Sequence, residues 1–249
     1  MIIPAIDILN NKIVRLYQGN YDLVKYYSED IYNLIEKYVF YGAKVIHIVD
    51  LNSAGDKTYQ RSTIFNDIIF NFKNIVQIAG GITSEKDIDY FLSNGAKRVV
   101  LGTIVMNNIR QVKKWIQYYG NEYIVVALDV HVISENINIV FTNGWKNNTH
   151  IKLEDVLYEL YESNIKYVLS TDISKDGTLN GPNFLLYKNL VQKFPGICFQ
   201  ASGGIHKLHD IVKLKKIGVS DVILGKSLLE KKFTVLEAMQ CWRNGLFPV

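Results

Sequence analysis

The chain has little cysteine: Cys198 and Cys241 are the only two among 249 residues. Two cysteines build neither a disulfide framework nor, by themselves, a zinc site, which points to a reducing compartment. Proline is scarce, at 4 residues, and with 17 glycines the composition lies far from collagen-like, low-complexity or disordered chains. Arginine is scarce as well. Only Arg15, Arg61, Arg98, Arg110 and Arg243 stand among 28 basic residues, there is no basic run, and the net charge is +4. That argues against a nucleic-acid binder. No apolar run approaches the roughly 18 residues of a membrane helix. The start, MIIPAIDILNNK, has no basic region ahead of its apolar stretch and carries Asp7 within it, so it reads as neither signal peptide nor anchor. The expectation is a cytoplasmic globular protein, a monomer by default, with no membrane and no nucleic-acid partner.

What the chain has is alternation. Runs rich in Ile and Val recur at 2–6, 45–49, 75–79, 98–101, 124–128, 167–170, 197–200 and 221–224. They carry little polar alternation, as strands buried on both faces do. Helical patterns lie between them. Ile31, Leu34, Ile35, Tyr38 and Val39 fall on one helix face, as do Leu153, Val156, Leu157, Leu160 and Tyr161. Ser84 and Asp87 form a capping-box pattern ahead of Ile88, Phe91 and Leu92. Eight β units alternating with helices predict a single α/β domain over 1–249, a (β/α)8 TIM barrel, with an open doubly wound sheet as the competing topology.

The chain also resembles itself. The two helix faces are offset by 122 residues, Lys44–Asp50 aligns with Lys166–Asp172 and Gly55 with Gly177 at the same offset, and Ala79–Ile82 aligns with Ser202–Ile205 at 123. Leu101-Gly102 meets Leu224-Gly225, and Asp7 meets Asp129. Such ordered matches predict two duplicated (β/α)4 halves, about 1–122 and 123–245, and weigh against the open sheet. Repeated barrel packing is the plainer account, but glycines and aspartates at strand ends are not packing positions.

In a (β/α)8 barrel the site lies at the C-terminal ends of the strands, and phosphate is held by backbone N–H groups after strands 7 and 8. Gly203, Gly204 and Gly225 fall there. Gly80, Gly81 and Gly102 fall after strands 3 and 4. Glycine admits close approach and positive φ, so the pattern predicts two phosphate sites across the mouth and a substrate phosphorylated at both ends. Thr103 and Ser227 are placed to add hydroxyls or to cap helices. Asp7 and Asp129 stand on opposite strands. A barrel of eight tilted strands is roughly 15 Å across, which leaves about 8–10 Å between two inward carboxylates, room for one sugar ring. Two carboxylates flanking one ring suit general acid–base work, one protonated and one ionised; capping of local backbone is the alternative. Asp50 and Asp172 read as loop caps or site orienters. Thr171 is a hydrogen-bond partner for a carboxylate or substrate. Trp145 reads equally as a stacking surface for a heterocycle and as a loop anchor. His47 reads as a satisfied core residue. His206 and His209, three apart on a presumed helix and without acidic or Cys partners, do not make a metal site.

Met1–Asp7, Val14-Arg-Leu-Tyr-Gln-Gly19, Val49-Asp-Leu, Ala127-Leu-Asp129, Thr171–Thr178 and Phe199–Ile205 together resemble the HisA family over nearly the whole chain. These are isomerases of histidine biosynthesis acting on a phosphoribosylformimino-aminoimidazole carboxamide ribotide. The resemblance implies an Amadori rearrangement of a bisphosphate, aminoaldose to aminoketose, with no cofactor and no metal. It maps the catalytic pair onto Asp7 and Asp129, Asp7 as base and Asp129 as acid, with Thr171 assisting; the residues themselves leave the order open. Gly19, Asp176 and Gly177, within these motifs, join the expected substrate-binding set. Two departures stand out. Ala79 occupies a place where many relatives carry a third glycine, and segment 131–142, HVISENINIVFT, matches no motif. The rivals are the sister cyclase family, HisF, fed ammonia by a glutaminase partner, and a non-catalytic phosphosugar-binding barrel. The arginine in Val14–Gly19 and the Asn143-Gly-Trp segment favour the isomerase.

Overall fold

A computed structural model describes residues 1–56, 59, 61–134 and 137–245. In chain order its elements are β1 (Ile2–Leu9), β2 (Lys12–Tyr17), β3 (Asn20–Tyr26), α1 (Ile31–Phe40), β4 (Ile46–Asp50), α2 (Leu51–Gly55), α3 (Ile64–Asn71), β5 (Val76–Ala79), α4 (Glu85–Ser93), β6 (Arg98–Leu101), α5 (Thr103–Asn107) and α6 (Ile109–Tyr119). There follow β7 (Ile124–Ser134), β8 (Ile137–Thr142), β9 (Asn147–Lys152), α7 (Leu153–Tyr161), β10 (Tyr167–Asp172), α8 (Phe184–Lys193), β11 (Cys198–Ser202), α9 (Leu208–Ile217), β12 (Asp221–Leu224), α10 (Lys226–Leu229) and α11 (Val235–Asn244). The Ile/Val-rich runs became β1, β4, β5, β6, β7, β10, β11 and β12, which pair parallel in that order. β12 pairs back onto β1 through Ile3 and Ile223, so the sheet closes and the open-sheet topology falls. This is a (β/α)8 barrel. Asp30 caps α1 through the Asn33 amide, and Ser84 with Asp87 forms the expected capping box on α4.

Two strands run further than their sequence pattern indicates. β1 continues to Leu9 and β7 to Ser134, so Asp7 and Asp129 do not end their strands as expected. Each stands at the barrel rim with a parallel partner on one side and an antiparallel one on the other. Asp7 lies between Val49 and Val14, and Asp129 between Thr171 and Phe141. The cause is local. Asn10 and Asn11 take positive φ and fold β1 back onto β2 in a two-residue turn, a geometry asparagine tolerates. Segment 131–142 supplies the end of β7 and all of β8, residues 135 and 136 lying outside the described set. Two hairpins, β2–β3 and β7–β8–β9, thus project above the rim.

Outward strand residues such as Ile6, Ile48, Val126 and Phe199 pack against Ile35, Phe91, Leu157 and Leu214 of the helices. Inward residues stack in layers drawn from alternate strands. Ala5, Ala79, Ala127 and Ser202 form one layer; His47, Val100, Leu169 and Ile223 stand beneath it, and all eight line a common cavity. Four small side chains leave the barrel open at that level. Phe199, fully buried, fills the space between β11 and the helical shell. Phe199→Ala is expected to cost about 3–5 kcal/mol, read as a lower denaturant midpoint with an unchanged slope.

Candidate active site

The cavity, of about 270 Å³, opens at the C-terminal rim. Asp7, buried, and Asp129, partly buried, reach it from β1 and β7. Arg15, carried on β2 by the first hairpin, donates from Nη1 to Asp7 Oδ2 (2.5 Å) and from Nη2 to Asp176 Oδ1 (3.1 Å). Trp145, in the β8–β9 turn, donates from Nε1 to Asp129 Oδ2 (2.8 Å), and Thr171 hydrogen-bonds the same carboxylate. Trp145 therefore anchors a loop, and its indole lies against Gly19: a Cβ on Gly19 would stand 2.4 Å from Trp145 Cε3.

Burial pushes both carboxyls above the ordinary range, and the opposing contacts differ in kind. At Asp7 the Arg15 cation works against burial, while the Asp176 charge adds to it. At Asp129 only the neutral hydrogen bonds of Trp145 and Thr171 oppose. A cation favours a carboxylate more strongly than neutral donors do. The surroundings of Asp7 thus offer its ionised form a charged partner that those of Asp129 lack.

Gly80 and Gly81 take positive φ and pack where a Cβ would meet the Asp50 carbonyl at 2.2 Å and Ser53 Cβ at 2.6 Å. Arg61 braces the same place, with Nε on Asp50 Oδ2 (3.1 Å) and Nη2 on the Gly80 carbonyl (2.8 Å). Asp50 itself caps α2 by accepting from Ser53, and Asp172 accepts from Ser174 and Asn183, so both serve as loop caps. Gly102 has negative φ and open space on its Cβ side, beside Thr103, whose hydroxyl accepts from the Asn143 amide. The positive-φ argument therefore fails at Gly102, and also at Gly225, whose φ is −108°.

The family model described as histidine biosynthesis protein matches residues 1–234. A Buchnera aphidicola (subsp. Baizongia pistaciae) protein named 1-(5-phosphoribosyl)-5-((5-phosphoribosylamino)methylideneamino) imidazole-4-carboxamide isomerase is 47% identical over 97% of this chain and 100% of its own. Isomerases of the same name from Blochmanniella pennsylvanica and Photorhabdus laumondii are 44% and 43% identical, each over 98% of this chain and 100% of their own. The chain belongs to the HisA isomerase family.

Of the residues expected at a HisA site, Asp7, Asp129, Thr171, Gly19, Gly80, Gly81, Gly102, Thr103, Trp145 and Asp176 line the cavity. Gly177, Gly203, Gly204 and Gly225 do not. The chain fills that side of the mouth itself. Gly225 has the Arg15 guanidinium where a Cβ would be, Gly204 packs on the Gly181 carbonyl, and Gly177 packs on the Leu16 carbonyl while accepting from Lys226 Nζ. Sequence reasoning missed Arg15 and Arg61 as site residues. Arg15 sat in plain view in the Val14–Gly19 motif, one of few arginines. It also erred on His206, which precedes α9 rather than lying on it and stands 3.0 Å from Asp210 Oδ2. Among the described residues no group of His, Cys, Asp and Glu is arranged to hold a metal ion, and no helix is long and apolar enough to cross a membrane.

Because the Arg15 charge offsets the burial of Asp7, its removal raises the Asp7 pKa. In Arg15→Met Asp7 ionises only at higher pH, so, if activity needs it ionised, the acidic limb of the kcat/KM profile moves to higher pH. A limb that stays in place in a folded variant contradicts the ion pair as the control on Asp7.

Proposed function

We propose that this chain opens and isomerises a bisphosphorylated aminoimidazole carboxamide ribotide by an Amadori rearrangement, with Asp129 as acid and Asp7 as base. The relatives' name carries two phosphoribosyl groups, in keeping with a substrate phosphorylated at both ends. One observation carries the assignment: two carboxyls, one buried and one partly buried, line one cavity, and one has a cation while the other has neutral donors.

Protonated Asp129 gives its proton to the furanose ring oxygen. The bond from that oxygen to C1 breaks, and the amino nitrogen's lone pair makes a protonated imine. Asp7 takes the C2 proton, and the C2–H electron pair moves to form an enolamine. The enolamine loses its C2 hydroxyl proton and gains one at C1, which yields the ketose. Thr171 holds the Asp129 carboxyl in place. No cofactor or metal enters these steps.

Gly80, Gly81, Gly102 and Thr103 form the first phosphate cradle in this proposal, braced by Arg61. Gly177, Gly203, Gly204 and Gly225 form the second, which opens when Lys226 leaves the Gly177 carbonyl while Arg15 stays on Asp7. Those two cations then stand beside the arriving anion. The same reading treats the single barrel as two duplicated halves. Gly80 on the Asp50 carbonyl and Gly203 on the Asp172 carbonyl are matched contacts that support it. A reducing, cytoplasmic setting also belongs to the proposal and is supported by two free thiols, Cys198 and Cys241.

The test is a coupled assay with the bisphosphate aldose alone. An isomerase gives the ketose without ammonia or a glutaminase partner; a cyclase does not, and a binding barrel gives no turnover. Asp129→Asn and Asp7→Asn are each expected to lower kcat by about 10²–10⁴-fold, the worth of one positioned proton-transfer group. Near-normal turnover in either removes that residue from its role. Gly102→Val, which adds side-chain bulk in the open space of the first cradle, is expected to raise KM and leave the fold intact by circular dichroism.

A further inference from the structure

Below the cavity the barrel interior turns polar. Gln77 on β5 and Gln200 on β11 meet across the axis, both fully buried. Their amides exchange two hydrogen bonds, Gln77 Nε2 to Gln200 Oε1 (2.9 Å) and Gln200 Nε2 to Gln77 Oε1 (3.1 Å). Each Nε2 carries a second hydrogen. That of Gln200 points to Asp221 Oδ2 (3.4 Å), and that of Gln77 meets His47 Nδ1 (3.2 Å). Two apolar side chains of this size fill the same space without the desolvation cost of two amides, so space filling does not account for the pair.

The network fixes its own orientation. An ionised carboxylate only accepts, so Gln200 presents Nε2 to Asp221. Turned over, it sets a carbonyl against that carboxylate. Gln200 Oε1 then faces Gln77, and Gln77 must present Nε2 to both Gln200 and His47. His47 Nδ1 is left as acceptor, and the imidazole proton goes to Nε2. His47 lines the cavity, and among the described residues no hydrogen-bond partner is found for Nε2. Burial, reinforced by the Arg15 charge, brings the imidazole pKa down to about 4, so the ring is neutral at pH 7.

We propose that Gln77, Gln200 and Asp221 are positioning residues that hold His47 as its Nε2–H tautomer, so that the cavity floor offers a neutral N–H donor to an acceptor oxygen of the bound sugar phosphate. The identity of the acceptor rests on the isomerase reading; the tautomer is a property of the free protein and does not.

The experiment is a long-range ¹H–¹⁵N correlation spectrum of the full chain labelled with ¹⁵N-histidine, with His47→Gln to assign the resonance. At neutral pH the expected pattern is a protonated Nε2 and a bare Nδ1. Gln77→Glu replaces the donor facing Nδ1 with an acceptor. The proton is then expected on Nδ1, with kcat/KM lower by about tenfold, the worth of one misdirected hydrogen bond. A wild-type His47 protonated at Nδ1, or present as both tautomers, overturns the proposal, as does a Gln77→Glu spectrum unchanged from wild type. If that variant does not fold, the wild-type spectrum decides alone. A bare Nδ1 in a protein that does not turn over the aldose supports the relay and sinks the isomerase reading. A protonated Nδ1 in a protein with full turnover does the reverse.

Discussion

One guanidinium serves two carboxylates at the mouth of this barrel. Arg15 bridges Asp7, 8 residues before it, and Asp176, 161 residues after it, and all three are largely shielded from water. Taking such charges out of water is expensive, and removing one partner of a buried pair costs about 3–5 kcal/mol. The bridge therefore fixes the β2–β3 hairpin on one side of the mouth and the loop after β10 on the other. It also sets the electrical asymmetry of the site. Asp129 lies close enough to feel the Asp176 charge, and among the described residues it has no cationic partner. Of these three carboxyls, two pair with the guanidinium and Asp129 does not.

The shape of the cavity depends on a different economy of residues. A packed (β/α)8 barrel fills its axis with bulky branched side chains. Here the layer under Asp7 and Asp129 is Ala5, Ala79, Ala127 and Ser202, and the cavity reaches down to His47, Val100, Leu169 and Ile223. Ala79 makes this concrete. It departs from the third glycine many relatives carry there, and it ends β5 with its side chain in the barrel interior, one step before the glycines whose positive φ shapes the rim. Below it, Gln77 and Gln200 satisfy each other and reach His47 at the cavity's lower level. The floor is thus firm where it meets the substrate and small where the substrate needs depth.

What the sequence made legible was whatever is local or repeated. Unbroken Ile and Val runs located all eight barrel strands to within a residue at their starts, because a strand buried on both faces has no polar alternation to blur it. Asp7 and Asp129 were found by their matching places in the two runs. Other features needed the third dimension. Asn10 and Asn11 signal a turn, but nothing local says that the strand beyond it climbs above the rim and brings Arg15 over Asp7. Nor does the sequence reveal that Arg15 and Lys226 occupy the side of the mouth assigned to Gly177 and Gly225, since that occupancy comes from chain segments far apart in sequence.

Trp145 and Gly19 show how the two hairpins become one device. Trp145 takes positive φ, a rare conformation for a bulky aromatic, and such a conformation persists only where the surroundings hold it. Its indole N–H is bound to Asp129 and its ring lies on Gly19, where any Cβ would collide with it. The glycine is thus required twice, once for the tight β2–β3 turn and once for the indole. The β7–β8–β9 hairpin consequently holds Asp129 by the same residue that touches the β2–β3 hairpin, and the β2–β3 hairpin holds Asp7 through Arg15. Asp7 and Asp129 are each oriented by a hairpin extending from their own strand, and the two hairpins meet over the space between them. A ligand that parts Trp145 from Gly19 must disturb the surroundings of both carboxyls together, which couples its entry to their protonation.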